Sequence, residues 1–104
     1  MEYNIVLCTV NSKDLAICIA KSLVTEKLAA CVNICDNITS VYSWEDKVVE
    51  DNEVLLVIKS TKKLFKNIET RIKELHPYEV PEIISLDIEN GSDEYLKWLT
   101  KNVM

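Results

Sequence analysis

Apolar positions along the chain switch between a period of two and a period near 3.6. From residue 3 to residue 10 the sets Tyr3/Ile5/Leu7/Thr9 and Asn4/Val6/Cys8/Val10 are both largely apolar, which predicts a central strand covered on both faces. Leu15, Ala16, Ile19, Ala20, Leu23 and Val24 then recur at helical spacing. Asn11 stands as a cap and Asp14 in the first turn, so a helix is expected to run to about Lys27. A second strand is predicted from residue 29 or 30 to Trp44, because Val32, Ile34, Ile38, Thr39, Val41 and Tyr42 are β-branched or aromatic; Asp36-Asn37 is a place for a bulge. Glu45-Asp46-Lys47 turns the chain into a third strand over 48–59, apolar on both faces at its centre. Ser60 or Thr61 is expected to cap a helix carrying Leu64, Phe65, Ile68, Ile72 and Leu75. It ends at His76, because Pro77 disfavours helical geometry in the residue before it. After Pro81 a fourth strand sets Ile84, Leu86 and Ile88 on a face to be buried and Ser85, Asp87 and Glu89 on a wet one. Asn90-Gly91 turns, and Ser92 caps a last helix with Asp93 and Glu94 at its positive end.

This order predicts an α+β fold: a ferredoxin-like βαββαβ sandwich with an extended hairpin between the second and third strands and an extra C-terminal helix. With 104 residues the chain is one domain, 1–104. Fifteen residues of strand, 30–44, reach about 50 Å at about 3.3 Å each. A globule of this size has a radius of gyration near ~13 Å, so the hairpin must overhang its own domain. Its outer part carries Val41, Tyr42, Trp44, Val48 and Val49, an apolar patch on strand edges that soluble monomers avoid, and another subunit is expected to cover it.

Charge narrows the partners. Seventeen acidic residues against twelve basic give a net charge of −5, which repels phosphate backbones and anionic lipid surfaces, so no nucleic acid and no membrane is expected as a partner. No apolar run approaches the ~20 residues of a membrane span, and the N-terminus lacks a signal-peptide pattern. A cytoplasmic protein is expected, with Cys8, Cys18, Cys31 and Cys35 as reduced thiols.

Many functions share this fold, so each is tested at its own site. An RNA-recognition surface needs stacking aromatics on the central strands, where Leu56, Val57 and Ile58 stand. An acylphosphatase-type clamp needs a guanidinium in the first strand-to-helix loop, but the one arginine, Arg71, is in the second helix. A copper chaperone needs two close thiolates in that same loop, and Cys8 is followed only by Cys18. Cys31 and Cys35 share a strand face about 13 Å apart, too far to chelate one ion. Cys8, Cys18 and Cys35 read as small buried hydrophobes. The carboxylates Glu45, Asp46, Glu50, Asp51 and Glu53 near the hairpin tip read as a solvated edge that discourages aggregation. The most distinctive segment is His76-Pro77-Tyr78-Glu79-Val80-Pro81-Glu82. Stiffness accounts for its prolines. It does not account for His76, Tyr78 and Glu79, which could ligate a borderline metal, bind a small anion or shuttle protons.

Leu28-Ala29-Ala30-Cys31-Val32-Asn33-Ile34, Ser40-Val41-Tyr42-Ser43-Trp44 with Lys47, Glu53 through Lys59, His76 through Ile83, and Tyr95-Leu96 with Trp98 closely resemble the CutA family of divalent-cation tolerance proteins, almost end to end. The resemblance implies a tight homotrimer, similar in architecture to the PII signal proteins, with long hairpins packed between subunits. It also implies a cytosolic role in tolerance to metals, copper above all. Where the family usually has Gly, Asp46 stands here, one of the few residue types that visit positive φ. The expectation is a trimeric metal-response protein, not an enzyme, that binds copper or another divalent metal ion weakly near Cys31 and His76, with Glu79 and Tyr78 at or behind the ion. The alternative is a PII-like signalling trimer that takes a small metabolite in inter-subunit clefts through Lys59, Tyr78 and Glu79.

Overall fold

In the computed structural model, which describes residues 2–104, the predicted element order holds: β1 Tyr3–Val10, α1 Lys13–Thr25, β2 Cys31–Trp44, β3 Lys47–Thr61, α2 Phe65–Leu75, β4 Ile83–Ile88 and α3 Asp93–Lys101. The four strands form one antiparallel sheet in the order β2-β3-β1-β4, the ferredoxin-like arrangement. Val6, Cys8 and Val10 of β1 and Val54, Leu56 and Ile58 of β3 face one way. They bury against Ala16, Ile19 and Leu23 of α1 and Ile68 and Ile72 of α2, which is where the core lies.

Local signals fix the ends of the elements. Ser12, not Asn11, caps α1: its Oγ accepts the Leu15 N–H at 3.1 Å, and the hydroxyl is one residue closer to the first turn's free N–H groups. The helix ends in a Schellman turn. Leu28 N–H reaches the Leu23 carbonyl and Lys27 N–H the Val24 carbonyl, with Lys27 at φ 59. Neither Ser60 nor Thr61 caps the second helix with its side chain. Ser60 Oγ instead donates to the Leu28 carbonyl, and a short 3-10 turn over Lys62–Leu64 leads into α2. The β2 bulge falls between Cys35 and Ile38, where Asn37 adopts φ 60 and accepts the Asn52 side-chain amide at 2.6 Å.

The hairpin overhangs as expected. The molecule extends 45 × 25 × 23 Å, and Val41, Tyr42, Trp44 and Val48 are exposed on its outer part. Trp44 pairs with Lys47 across a two-residue turn in which Glu45 and Asp46 both hold positive φ, 50 and 65, the type I′ geometry. Left-handed backbone costs an L residue on the order of 1–2 kcal/mol. Replacing the pair by Asn-Gly (Glu45→Asn with Asp46→Gly) is therefore expected to stabilise the protein by about 1 kcal/mol, read as a higher urea midpoint at fixed protein concentration. An unchanged midpoint would show that the turn carries no such strain.

β4 departs from expectation. Ile84 and Leu86 do share a face, but it is the face away from α1 and α2, and they are 52% and 54% exposed. They stand opposite Leu7 and Ile5 of β1; on β3 Leu7 is paired with Val57, and Leu55 lies on the same face two residues before it. α3 covers only one end of this second face, where Tyr3 Oη lies 2.8 Å from Thr100 Oγ1 and Leu99 is fully buried. The middle of the sheet is thus apolar and uncovered by its own chain.

Candidate functional site

The loop between α2 and β4 is pinned by the chain's one histidine. Pro77 forces His76 out of the helix into extended backbone, φ −88 and ψ 131, and its side chain turns inward, 8% exposed. Tyr78 N–H donates to His76 Nδ1 at 3.1 Å. That leaves Nε2 to carry the proton and donate to the Thr9 carbonyl at 2.7 Å, so the neutral Nε2–H tautomer fits this network. The Tyr78 ring meets the imidazole edge-on at 4.5 Å.

From that anchor Tyr78 reaches the base of the hairpin. Its hydroxyl donates to Glu53 Oε2 at 2.7 Å, and burial, reinforced by the Glu53 carboxylate, pushes the phenol above its ordinary range. Farther out the Tyr42 hydroxyl donates to Asp51, and that bond raises the Tyr42 phenol as well. Between hairpin and loop lies a cleft of about 780 Å³ lined by Asp51, Glu53, Glu79 and Glu82, with Tyr42, Trp44 and Tyr78 as its aromatic wall. None of the four carboxylates pairs with a Lys or Arg among the described residues; the ion pairs lie elsewhere, such as Lys62–Asp87 and Arg71–Glu26. Cys8 is fully buried, and its thiol is pushed up to about 12 by burial, then by Glu82 and Glu53, which leaves it inert at neutral pH.

The predicted site residues separate into two groups. His76, Tyr78 and Glu79 share the loop, with Glu79 exposed on the cleft rim. Cys31 and Lys59 pair with each other at the other end of the sheet, where Lys59 Nζ approaches Cys31 Sγ at 3.9 Å. Tyr95 of α3 adjoins them, its phenol raised by burial and then by Cys31. Lys59 stands opposite Ile5 and His76 holds Thr9, four residues farther along β1, or about 13 Å. Within one chain Cys31 and His76 therefore do not meet. Among the described residues no three His, Cys, Asp or Glu side chains are grouped to hold an ion.

Two expectations need correction. Cys18 and Cys35 are exposed rather than packed as buried hydrophobes, because Cys18 falls outside the buried stripe of α1 and Cys35 lies on the face of β2 that the helices do not cover. Glu53 is no solvated edge group: only 6% of it is exposed, beneath Tyr78. The signal was its position directly before the apolar run 54–58, inside the body of the sheet. The apolar open face was also missed as a surface, although strands apolar on both sides with helices for only one side had already implied it.

Among known proteins, the family described as CutA1 divalent ion tolerance protein matches residues 4–102. The divalent-cation tolerance protein CutA of Thermus thermophilus is 53% identical over 98 residues, which are 94% of this chain and 95% of that protein. The chloroplastic protein CutA of Arabidopsis thaliana is 47% identical over 95 residues, 91% of this chain but 52% of its own length, so the chain spans about half of that relative. The crystal structure of CutA1 from Oryza sativa superposes with a TM-score of 0.98 at 42% identity, covering 100% of this chain and 95% of that one.

Proposed function

This chain belongs to the CutA1 family of divalent ion tolerance proteins, and from that premise we propose that it works as a cytoplasmic homotrimer that binds copper or another divalent cation weakly. The observation that carries the cation reading is the cleft whose four carboxylates have no basic partner among the described residues. A bare negative wall attracts cations and repels anions. Weak binding follows from the donor set. His76 spends both ring nitrogens on hydrogen bonds, Glu79 stands alone on the rim, and Cys31 is remote within the chain, so a fuller site has to gather Cys31 from one copy and His76 or Glu79 from another. The uncovered apolar face, together with the exposed Val41, Tyr42, Trp44 and Val48 and the half-buried Val49 of the hairpin, supports assembly.

Copper titration calorimetry at pH 7.5 and pH 5.5 tests the site, with solution mass measured alongside. Protons compete with metal ions for ligand atoms, so the parent is expected to bind saturably and more weakly at the lower pH. Its mass is expected near 36 kDa, three times 11.9 kDa. His76→Ala and Cys31→Ser are each expected to lower the affinity at least tenfold. If both variants stay trimeric and bind copper like the parent, the metal site is wrong.

A second reading has its own observation. The cavity of about 780 Å³ beside Tyr78 and Glu79 is of a size that takes a small metabolite, in the manner of a PII-like signalling trimer with inter-subunit clefts. Lys59 lies outside that cavity, beside Cys31.

A further inference from the structure

We infer that Asn90 is a site of self-modification, at which the folded protein converts its own asparagine into a mixture of isoaspartate and aspartate. Asn90-Gly91 joins β4 to α3, and Gly91 is the chain's one glycine. Both residues are exposed, and the connection 89–92 belongs to no helix or strand. Neither the Asn90 side chain nor the Gly91 N–H takes part in a hydrogen bond among the described residues. The ordered bonds begin at Ser92, whose Oγ accepts the Tyr95 N–H at 3.2 Å and whose carbonyl accepts the Leu96 N–H at 3.0 Å. Ile88 pairs with Tyr3 at the end of the sheet that α3 covers, so this turn is remote from the open middle of the sheet and from the outer hairpin, the surfaces proposed to meet other copies.

The missing Cβ at Gly91 links packing to reactivity. A Cβ there would stand 3.1 Å from the Leu96 side chain, so the close passage of the turn over α3 favours glycine. The same bareness leaves the Gly91 nitrogen unshielded from the side-chain carbonyl of Asn90. Elsewhere the following residue hinders that approach: Asn4, Asn33, Asn37 and Asn67 each precede isoleucine and Asn102 precedes valine, branched at Cβ. The reaction needs only water. Hydroxide takes the proton of the Gly91 amide, the nitrogen attacks Asn90 Cγ, and the Cγ–Nδ2 bond breaks as ammonia leaves with a proton from water. Water then opens the resulting succinimide. Breaking its bond from nitrogen to Cγ gives aspartate; breaking the bond from nitrogen to the main-chain carbonyl carbon gives isoaspartate, with the chain running through Cβ and Cγ. Either product adds a negative charge to a chain that carries −5. Isoaspartate also lengthens the connection by one carbon just before the Ser92 cap.

The test incubates the native protein at pH 8.5 and pH 6.5 and follows two signals. One is intact mass. The other is methyl transfer from S-adenosylmethionine by an isoaspartyl methyltransferase, which esterifies the isoaspartyl carboxylate and not ordinary aspartate. The parent is expected to gain about 1 Da and to accept methyl groups, at least fivefold faster at the higher pH because hydroxide removes the Gly91 proton. Asn90→Gln, an exposed substitution whose longer side chain would have to close a larger ring, should lose both signals. Asn11→Gln should keep them, since Asn11 is exposed but precedes Ser12, which has a Cβ. A synthetic peptide of residues 86–96 gives the rate without the fold, and the folded parent is expected within tenfold of it. The inference is overturned if the parent gains neither mass nor methyl groups, if Asn90→Gln reacts like the parent, or if the folded protein reacts more than tenfold slower than the peptide, which would mean that the fold protects Asn90.

Discussion

On the proposed trimer, a Val57→Asp variant is expected to run as an 11.9 kDa monomer at concentrations where the parent is expected near 36 kDa, three chains together. Val57 lies on β3 between Asn33 of β2 and Leu7 of β1, on the sheet face that neither α1 nor α2 covers. Ile84 and Leu86 extend the same surface to the β4 edge, both about half exposed. In a single chain a carboxylate at this half-buried position reaches water at small cost, so the monomer should fold. In an assembly that buries the face, each copy brings an unpaired negative charge into an apolar contact, costing several kcal/mol per copy. Val48→Asp is the internal comparison: Val48 is 83% exposed on the outer hairpin, and the same charge there is expected to weaken association far less. Sedimentation of both variants beside the parent decides the matter. A Val57→Asp chain that remains trimeric with an unchanged melting curve would mean that the open face meets water and the hairpin alone holds the copies together.

This surface marks where reading the sequence succeeded and where it stopped. Period-two and helical patterns placed the four strands and three α-helices, though not the 3-10 turn at Lys62–Leu64, because each pattern is a local consequence of which side of an element is buried. The bulge at Asn37 and the hairpin turn at Glu45-Asp46 were legible for the same reason, since polar residues interrupt an apolar alternation there. The caps were less so. Asn11 and Ser12 are both competent caps, and only the position of the first helical N–H group chooses Ser12. The cleft was legible in half. His76, Tyr78 and Glu79 stood out as an unusual local cluster, but their partner Glu53 is 25 residues away from Tyr78 and looked like one more charge on an acidic hairpin. A pairing that depends on strand register and loop path leaves no local trace. Cys31 and His76 show the converse, since chemical suitability for one metal carries no information on distance, and the sheet sets them at opposite ends.

His76→Ala is expected to lower stability by about 3 kcal/mol even in protein stripped of metal. The imidazole makes two hydrogen bonds, to the Thr9 carbonyl and from the Tyr78 amide, each contributing about 0.5–1.5 kcal/mol net. Its buried ring also packs against Tyr78, and truncating it leaves a void that costs roughly 1–2 kcal/mol more. The loss propagates outward: a freed loop no longer holds Tyr78 on Glu53, which disorders the inner wall of the cleft. Tyr78→Phe removes only that last contact and should cost about 1 kcal/mol, so the difference between the two variants measures the histidine clamp itself. Denaturant unfolding of both in the presence of a chelator supplies the numbers. A residue kept solely to ligate a metal has no reason to affect the metal-free fold. An unchanged midpoint for His76→Ala would therefore reject the clamp and leave the imidazole free for an ion, whereas a large loss means that a metal reaching His76 must first break the bond that positions Tyr78.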